Sequence, residues 1–82
     1  MLSIKVLGPG CDNCKKVEAL ARKVVTPLSI EAQITKVTEY PNIKMYKILA
    51  TPGLVVNENV VCAGHIPNEA EVTTWIVNAL EN

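Results

Sequence analysis

Apolar and polar positions along this chain repeat with two different periods. Leu2, Ile4 and Val6 alternate with Ser3 and Lys5, the two-residue period of a strand over residues 2–7. Val17, Leu20, Ala21 and Val24 recur three and four apart, which predicts a helix over residues 12–25, stopped by Thr26-Pro27. Ile30, Ala32 and Ile34 alternate with Glu31, Gln33 and Thr35, so residues 30–38 read as a second strand with one apolar face. A strand–helix–strand unit of this length predicts a right-handed parallel crossover.

Tyr40-Pro41-Asn42 opens a second helix, with Pro41 suited to its first position. Met45, Ile48 and Leu49 would share its buried face through residue 49. Thr51-Pro52-Gly53 breaks the chain. Leu54-Val55-Val56 and Val60-Val61-Cys62 then flank Asn57-Glu58-Asn59, the pattern of a hairpin, which Gly64 ends. In the last element Asn68 and Glu71 have the spacing of a capping box. Val72, Trp75, Ile76, Ala79 and Leu80 follow as one helical stripe, with Trp75 expected in the core. The order strand–helix–strand–helix–strand–strand–helix predicts a four-stranded mixed α/β sheet in one domain over residues 1–82, its faces covered by three helices.

The chemistry is concentrated at the first strand–helix junction, Gly8-Pro9-Gly10-Cys11-Asp12-Asn13-Cys14. Residues three apart on a helix share a face, with Cα atoms about 5 Å apart, inside the range a disulfide requires. A helix N-terminus presents unpaired N–H groups and a partial positive charge, both of which favour a thiolate, the attacking form of cysteine. Cys11 is therefore expected to attack, exposed at the cap or first turn. Cys14, one turn in beside Val17 and Ala21, is expected to be covered and to resolve the mixed disulfide. Lys15 and Lys16 add positive potential and Asp12 opposes it.

Charge and composition narrow the remaining classes. Eight basic and eight acidic residues give zero formal net charge, with no basic block, which argues against a nucleic-acid surface and against an anionic membrane. No apolar run approaches the roughly 18 residues of a membrane-spanning helix, and the N-terminus lacks the apolar core of a signal peptide. A cytoplasmic protein is expected, where disulfides are transient and catalytic. Three cysteines, Cys11, Cys14 and Cys62, cannot all pair within one chain.

With Cys-x-x-Cys at the first strand–helix junction and Thr51-Pro52 before the hairpin, the order resembles the thioredoxin fold in its minimal, glutaredoxin-like form. More narrowly, the chain is similar to the small stand-alone thioredoxin-like redox-active disulfide proteins. The matching residues are Ile4-Lys5-Val6, Gly8, Gly10, Cys11, Cys14, Thr51 through Val56, and Gly64, spread over nearly the whole chain. The resemblance implies thiol–disulfide exchange through Cys11 and Cys14, with Gly10 and Lys15 in support and no cofactor or metal. It also implies a cis peptide bond at Thr51-Pro52 beside the cysteines, and a Thr51 backbone offered to a bound polypeptide. The partners it implies are a disulfide-containing protein or small thiol and a reductase as electron donor, with the chain acting as a monomer. The chain departs from the pattern in having Asp12-Asn13 between the cysteines, no Trp before Cys11, and Ala63-Gly64-His65 where glutaredoxins carry a Gly-Gly and acidic signature for glutathione.

Two metal readings stand beside this one. A strand, a Gly-rich loop, Cys-x-x-Cys and a helix also open small Cu(I)-carrying domains, since two soft thiolates suit that ion. Those domains run strand–helix–strand–strand–helix–strand and should end in a strand. Cys62-x-x-His65 could complete a zinc set with Cys11 and Cys14. The plainer expectation makes Cys62 a small core residue and His65 a surface loop residue.

Overall fold

The computed structural model describes residues 2–10, 12–48 and 50–81. Its elements run β1 (Leu2–Leu7), α1 (Asp12–Val25), β2 (Ala32–Val37), α2 (Tyr40–Lys44), β3 (Gly53–Val56), β4 (Asn59–Ala63) and α3 (Glu69–Glu81). The strands form one sheet in the order β2-β1-β3-β4. β1 and β2 run parallel; β3 is antiparallel to both β1 and β4. This is the minimal thioredoxin fold, with the element order and mixed sheet that the hydrophobic pattern predicts.

Alternation along the strands divides the core between the two faces of the sheet. Leu2, Ile4, Val6, Leu54 and Val56 pack with Val17, Ala21 and Val24 of α1 and with Val72 and Ile76 of α3. On the opposite face Leu7 and Val55 pack with Ile43 of α2, and Tyr46 and Ile48 close over them. β3 is thus buried on both faces and β1 on the face towards α1 and α3, with Ser3 and Lys5 half-buried on its other face; Ala32 and Ile34 of the edge strand β2 are only half-buried.

Four boundaries differ from the pattern for local reasons. The second strand begins at Ala32, because the Ile30 N–H donates to the Val25 carbonyl at 3.2 Å and stays with the end of α1. The second helix stops at Lys44 and becomes a turn, with Lys47 at φ 59. Its buried residue is therefore Ile43, and Met45 is 76% exposed instead of facing the core; Leu49 lies outside the described residues. The hairpin loop has two residues, Asn57 and Glu58, at φ 49 and 68, and Asn59 already pairs with Val56 in the ladder. Two successive positive φ values match the right-handed twist of the flanking strands. In β4 the register steps between Leu54↔Cys62 and Val55↔Val60, so Val61 is the extra residue of a bulge.

α3 starts as expected. The Glu71 N–H donates to Asn68 Oδ1 at 2.8 Å and the Asn68 N–H donates to Glu71 Oε1 at 3.2 Å, a closed capping box. Asn68→Ala is expected to lower stability by about 0.5–2 kcal/mol, read as a lower urea midpoint with unchanged slope. Trp75 and Ala79 pack half-buried against the larger core, and Leu80 is 52% exposed at the end of the stripe.

Ion pairs tie the elements at the surface. Glu18 lies 3.0 Å from Arg22 and 3.4 Å from Lys36, linking α1 to β2. The Arg22 guanidinium, helped by Lys36, holds its carboxyl below the usual range. Lys5 Nζ donates to Glu58 at 2.5 Å and to the Tyr46 hydroxyl at 2.9 Å, joining β1, the hairpin turn and the turn after α2.

Candidate functional site

The β1–α1 junction and the segment before β3 meet at one end of the sheet. β1 ends at Leu7, and the Gly8 N–H donates to the Val37 carbonyl at 2.9 Å, which carries the parallel register one residue past the strand. The chain turns through Pro9 and Gly10, the latter at φ 93, a region L-residues with a Cβ rarely enter. α1 then begins at Asp12, immediately after Cys11. Cys11 itself lies outside the described residues, so its proposed role rests on its place in the sequence.

Cys14 occupies the predicted position. It is 5% exposed, in one cluster with Val17 and Ala21. Its sulfur lies against the backbone of Gly8, where an added Cβ would collide with Sγ. The same Cβ would stand 3.7 Å from the Cβ of Thr51. Gly8, Cys14 and Thr51 therefore converge although they are distant in sequence. In the sequence Gly8 stands out only as a residue matching the resemblance; the signal that could have revealed more is a glycine at the strand end, on the path the second cysteine must cover.

The Thr51–Pro52 peptide bond is cis, as the resemblance implies. Pro52 is buried, and its carbonyl accepts from the Gly64 N–H at 2.9 Å, which ties this segment to the loop after β4. Among the described residues no backbone hydrogen bond engages the N–H or carbonyl of Thr51. Beside Thr51 opens a cleft of about 250 Å³, lined by Tyr40, Ile43, Lys44, Ile48, Ala50 and Thr51. Lys15 is exposed on the first turn of α1.

Cys62 and His65 follow the plainer expectation. Cys62 is buried in the same cluster as Cys14, and His65 is an exposed loop residue whose Nε2 lies 3.4 Å from Cys62 Sγ. Burial, with Glu71 adding to it, pushes the Cys62 thiol up and so holds it protonated. Among the described residues no group of three or more His, Cys, Asp and Glu side chains is arranged to hold a metal ion. The element order also differs from that of the Cu(I)-carrying domains, since the helix α2 stands between β2 and β3 where those domains join two strands directly.

The family described as "Thioredoxin domain" matches residues 2–77. The chain belongs to the thioredoxin family. It is 33% identical over 72 residues to a thioredoxin of Methanothermobacter thermautotrophicus, an alignment covering 88% of this chain and 94% of the relative. It is 32% identical over 81 residues to a thioredoxin of Methanocaldococcus jannaschii, covering 99% of this chain and 93% of the relative. These matches run nearly end to end, so this is a thioredoxin-like protein. No helix among the described residues is long and apolar enough to cross a membrane.

Proposed function

We propose that this protein is a dithiol–disulfide oxidoreductase that reduces disulfides in other proteins. The Cys11 thiolate attacks one sulfur of the substrate disulfide, forms a mixed disulfide and releases the other sulfur as a thiolate. Cys14 then loses its proton, attacks Cys11 Sγ and releases the second substrate sulfur. The substrate gains two electrons and two protons, and the protein is left with a Cys11–Cys14 disulfide. An external dithiol reductase restores the two thiols and closes the cycle.

The observation that carries this reading is the convergence of Cys14 with Gly8 and the cis Thr51-Pro52 segment at the N-terminal end of α1. Two further features support it. The partial positive charge at the start of a 14-residue helix stabilises a thiolate there. Among the described residues the Thr51 N–H and carbonyl have no backbone partner, the form that an extended polypeptide can pair with. Cys62, held as a thiol by burial, is excluded from the exchange.

The test is stoichiometric. Fully reduced protein is mixed with an excess of a protein disulfide such as insulin, quenched with an alkylating reagent, unfolded, alkylated again with a second reagent and mapped by mass spectrometry. The expected product has lost two hydrogen atoms, carries its disulfide between Cys11 and Cys14, and retains an alkylatable thiol at Cys62. A product in which Cys11 and Cys14 both remain alkylatable, or in which the new bond includes Cys62, overturns the proposal.

A further inference from the structure

The site is bordered by two features that its thiol chemistry does not use. The first is the cleft beside Thr51. At about 250 Å³ it falls below the size of ordinary small-ligand pockets, about 300–1,000 Å³. It has room instead for one large side chain. Ile43, Ile48 and Ala50 give it apolar walls, Tyr40 stands 60% exposed at the opening, and Lys44 adds a cation. Of the clefts on the surface among the described residues, this one includes Thr51, so whatever fills it adjoins the sulfur end of the sheet.

The second feature is the placement of charge. Of the basic residues, Lys5, Arg22, Lys23 and Lys36 are engaged in ion pairs. The remaining four, Lys15, Lys16, Lys44 and Lys47, have no acidic partner among the described residues and are all exposed. Lys15 and Lys16 follow Cys14 on α1; Lys44 and Lys47 lie on the segment that leads into Thr51. Asp12, Glu18 and Glu39 are the acidic residues on those two segments, and Glu18 is already engaged by Arg22 and Lys36. A chain of zero net charge thus carries the four cations that lack an acidic partner among the described residues on the segment that holds Cys14 and the segment that leads into Thr51.

Resting on the exchange reading, we infer that the protein's substrate presents its disulfide in an extended acidic segment, with a large apolar side chain near the reacting cysteine. That side chain seats in the Tyr40–Ile48 cleft while the segment's backbone meets Thr51. Carboxylates in the segment meet Lys44 and the lysines at the start of α1. Unscreened complementary charge steers encounter, and an apolar side chain leaving water supplies selectivity. Glutathione disulfide carries carboxylates but no large apolar side chain, so it meets only half of the requirement.

The experiment follows single-turnover oxidation of the reduced parental protein by five disulfides. Three are synthetic peptides of equal length: one acidic with leucine beside the cysteine, one acidic with alanine there, and one basic with leucine. The fourth is glutathione disulfide and the fifth is a small aromatic reagent disulfide. The acidic leucine peptide is expected to react about tenfold faster or more than each of the other two peptides and than glutathione disulfide. Its advantage over the basic peptide should shrink as salt rises from about 0.05 M towards 1 M, where screening is nearly complete. Lys44→Glu should narrow the acidic-to-basic rate ratio, and Tyr40→Ala the leucine-to-alanine ratio; both substitutions fall on exposed side chains. Oxidation by the reagent disulfide with equal rates for all three peptides overturns this inference and leaves the exchange reading standing. Oxidation by none of the five overturns the exchange reading itself.

Discussion

Cys14→Ser is expected to stop the reaction half-way. The variant keeps the proposed attacking thiol, so a protein disulfide still captures it. A serine hydroxyl is far too weakly acidic to displace the captured sulfur, and the mixed disulfide at Cys11 persists. Turnover should fall by at least about 100-fold, as it does when a member of a catalytic pair is removed. A covalent adduct of protein plus substrate should appear by mass spectrometry and dissolve on adding a free dithiol. Residue 14 is 5% exposed, so a hydroxyl there costs about 1–3 kcal/mol if it is left unpaired. Cys14→Ala avoids the buried hydroxyl and should give the same trapped adduct. Parental turnover by either variant would remove the resolving step from the mechanism, whatever the substrate.

The architecture was legible because its strongest signals are periodic. Leu2, Ile4 and Val6 put one face of β1 against α1 and α3, and the helical spacing of Val17, Ala21 and Val24 puts the matching stripe on α1. The Asn68–Glu71 capping box was readable because each side chain caps a backbone N–H only three residues away. What failed was decided elsewhere in the fold or by single backbone angles. Nothing local distinguishes Met45 from Ile43 as a core residue. The choice falls to Ile43 because α2 ends after Lys44 and Leu7 and Val55 wait on the sheet beneath it. The two-residue hairpin likewise depends on Asn57 and Glu58 both accepting positive φ, easy for asparagine and uncommon for glutamate.

The site was legible as a list of residues and illegible as a space. Cys-x-x-Cys at a strand–helix junction and Thr-Pro 37 positions beyond the second cysteine announce themselves in the sequence. That Thr51 meets Cys14 was implied by the resemblance and not by the periodic pattern, because it needs β1 and β3 to be neighbours, which the sheet order decides. The cleft beside Thr51 is less visible still. Tyr40, Ile43 and Ile48 read as an ordinary amphipathic stretch, and the cavity exists only because α2 is short and the chain leaves it in a turn. Charge tells the same story: zero net charge conceals four lysines without an ion pair among the described residues, on the segment that holds Cys14 and the segment that leads into Thr51.

The second large effect is expected from the smallest change in the chain, Gly8→Ala. An added methyl group at residue 8 falls on Cys14 Sγ, with the Cys14 Cβ at 3.4 Å and the Thr51 Cβ at 3.7 Å leaving it nowhere to turn. Either the first turn of α1 shifts away or the β1 end lifts off the sheet, and overpacking of this kind costs about 1–3 kcal/mol. Both responses move the Cys14 sulfur from its place against the Gly8 backbone. On the proposed mechanism the second displacement needs close alignment of three sulfurs, and a shift near 1 Å can cost about 100-fold in rate. Gly10→Ala separates sterics from backbone strain. Gly10 sits at φ 93, and apart from its chain neighbours no described residue lies within 4 Å of an added Cβ, so alanine there strains the chain by about 1–3 kcal/mol and leaves Cys14 untouched. Urea unfolding and single-turnover release of the substrate thiol, measured on both variants, should show comparable losses of stability but a much larger loss of the resolving rate for Gly8→Ala. Equal resolving rates would mean that the sulfur tolerates displacement, and that the missing side chain at residue 8 serves packing alone.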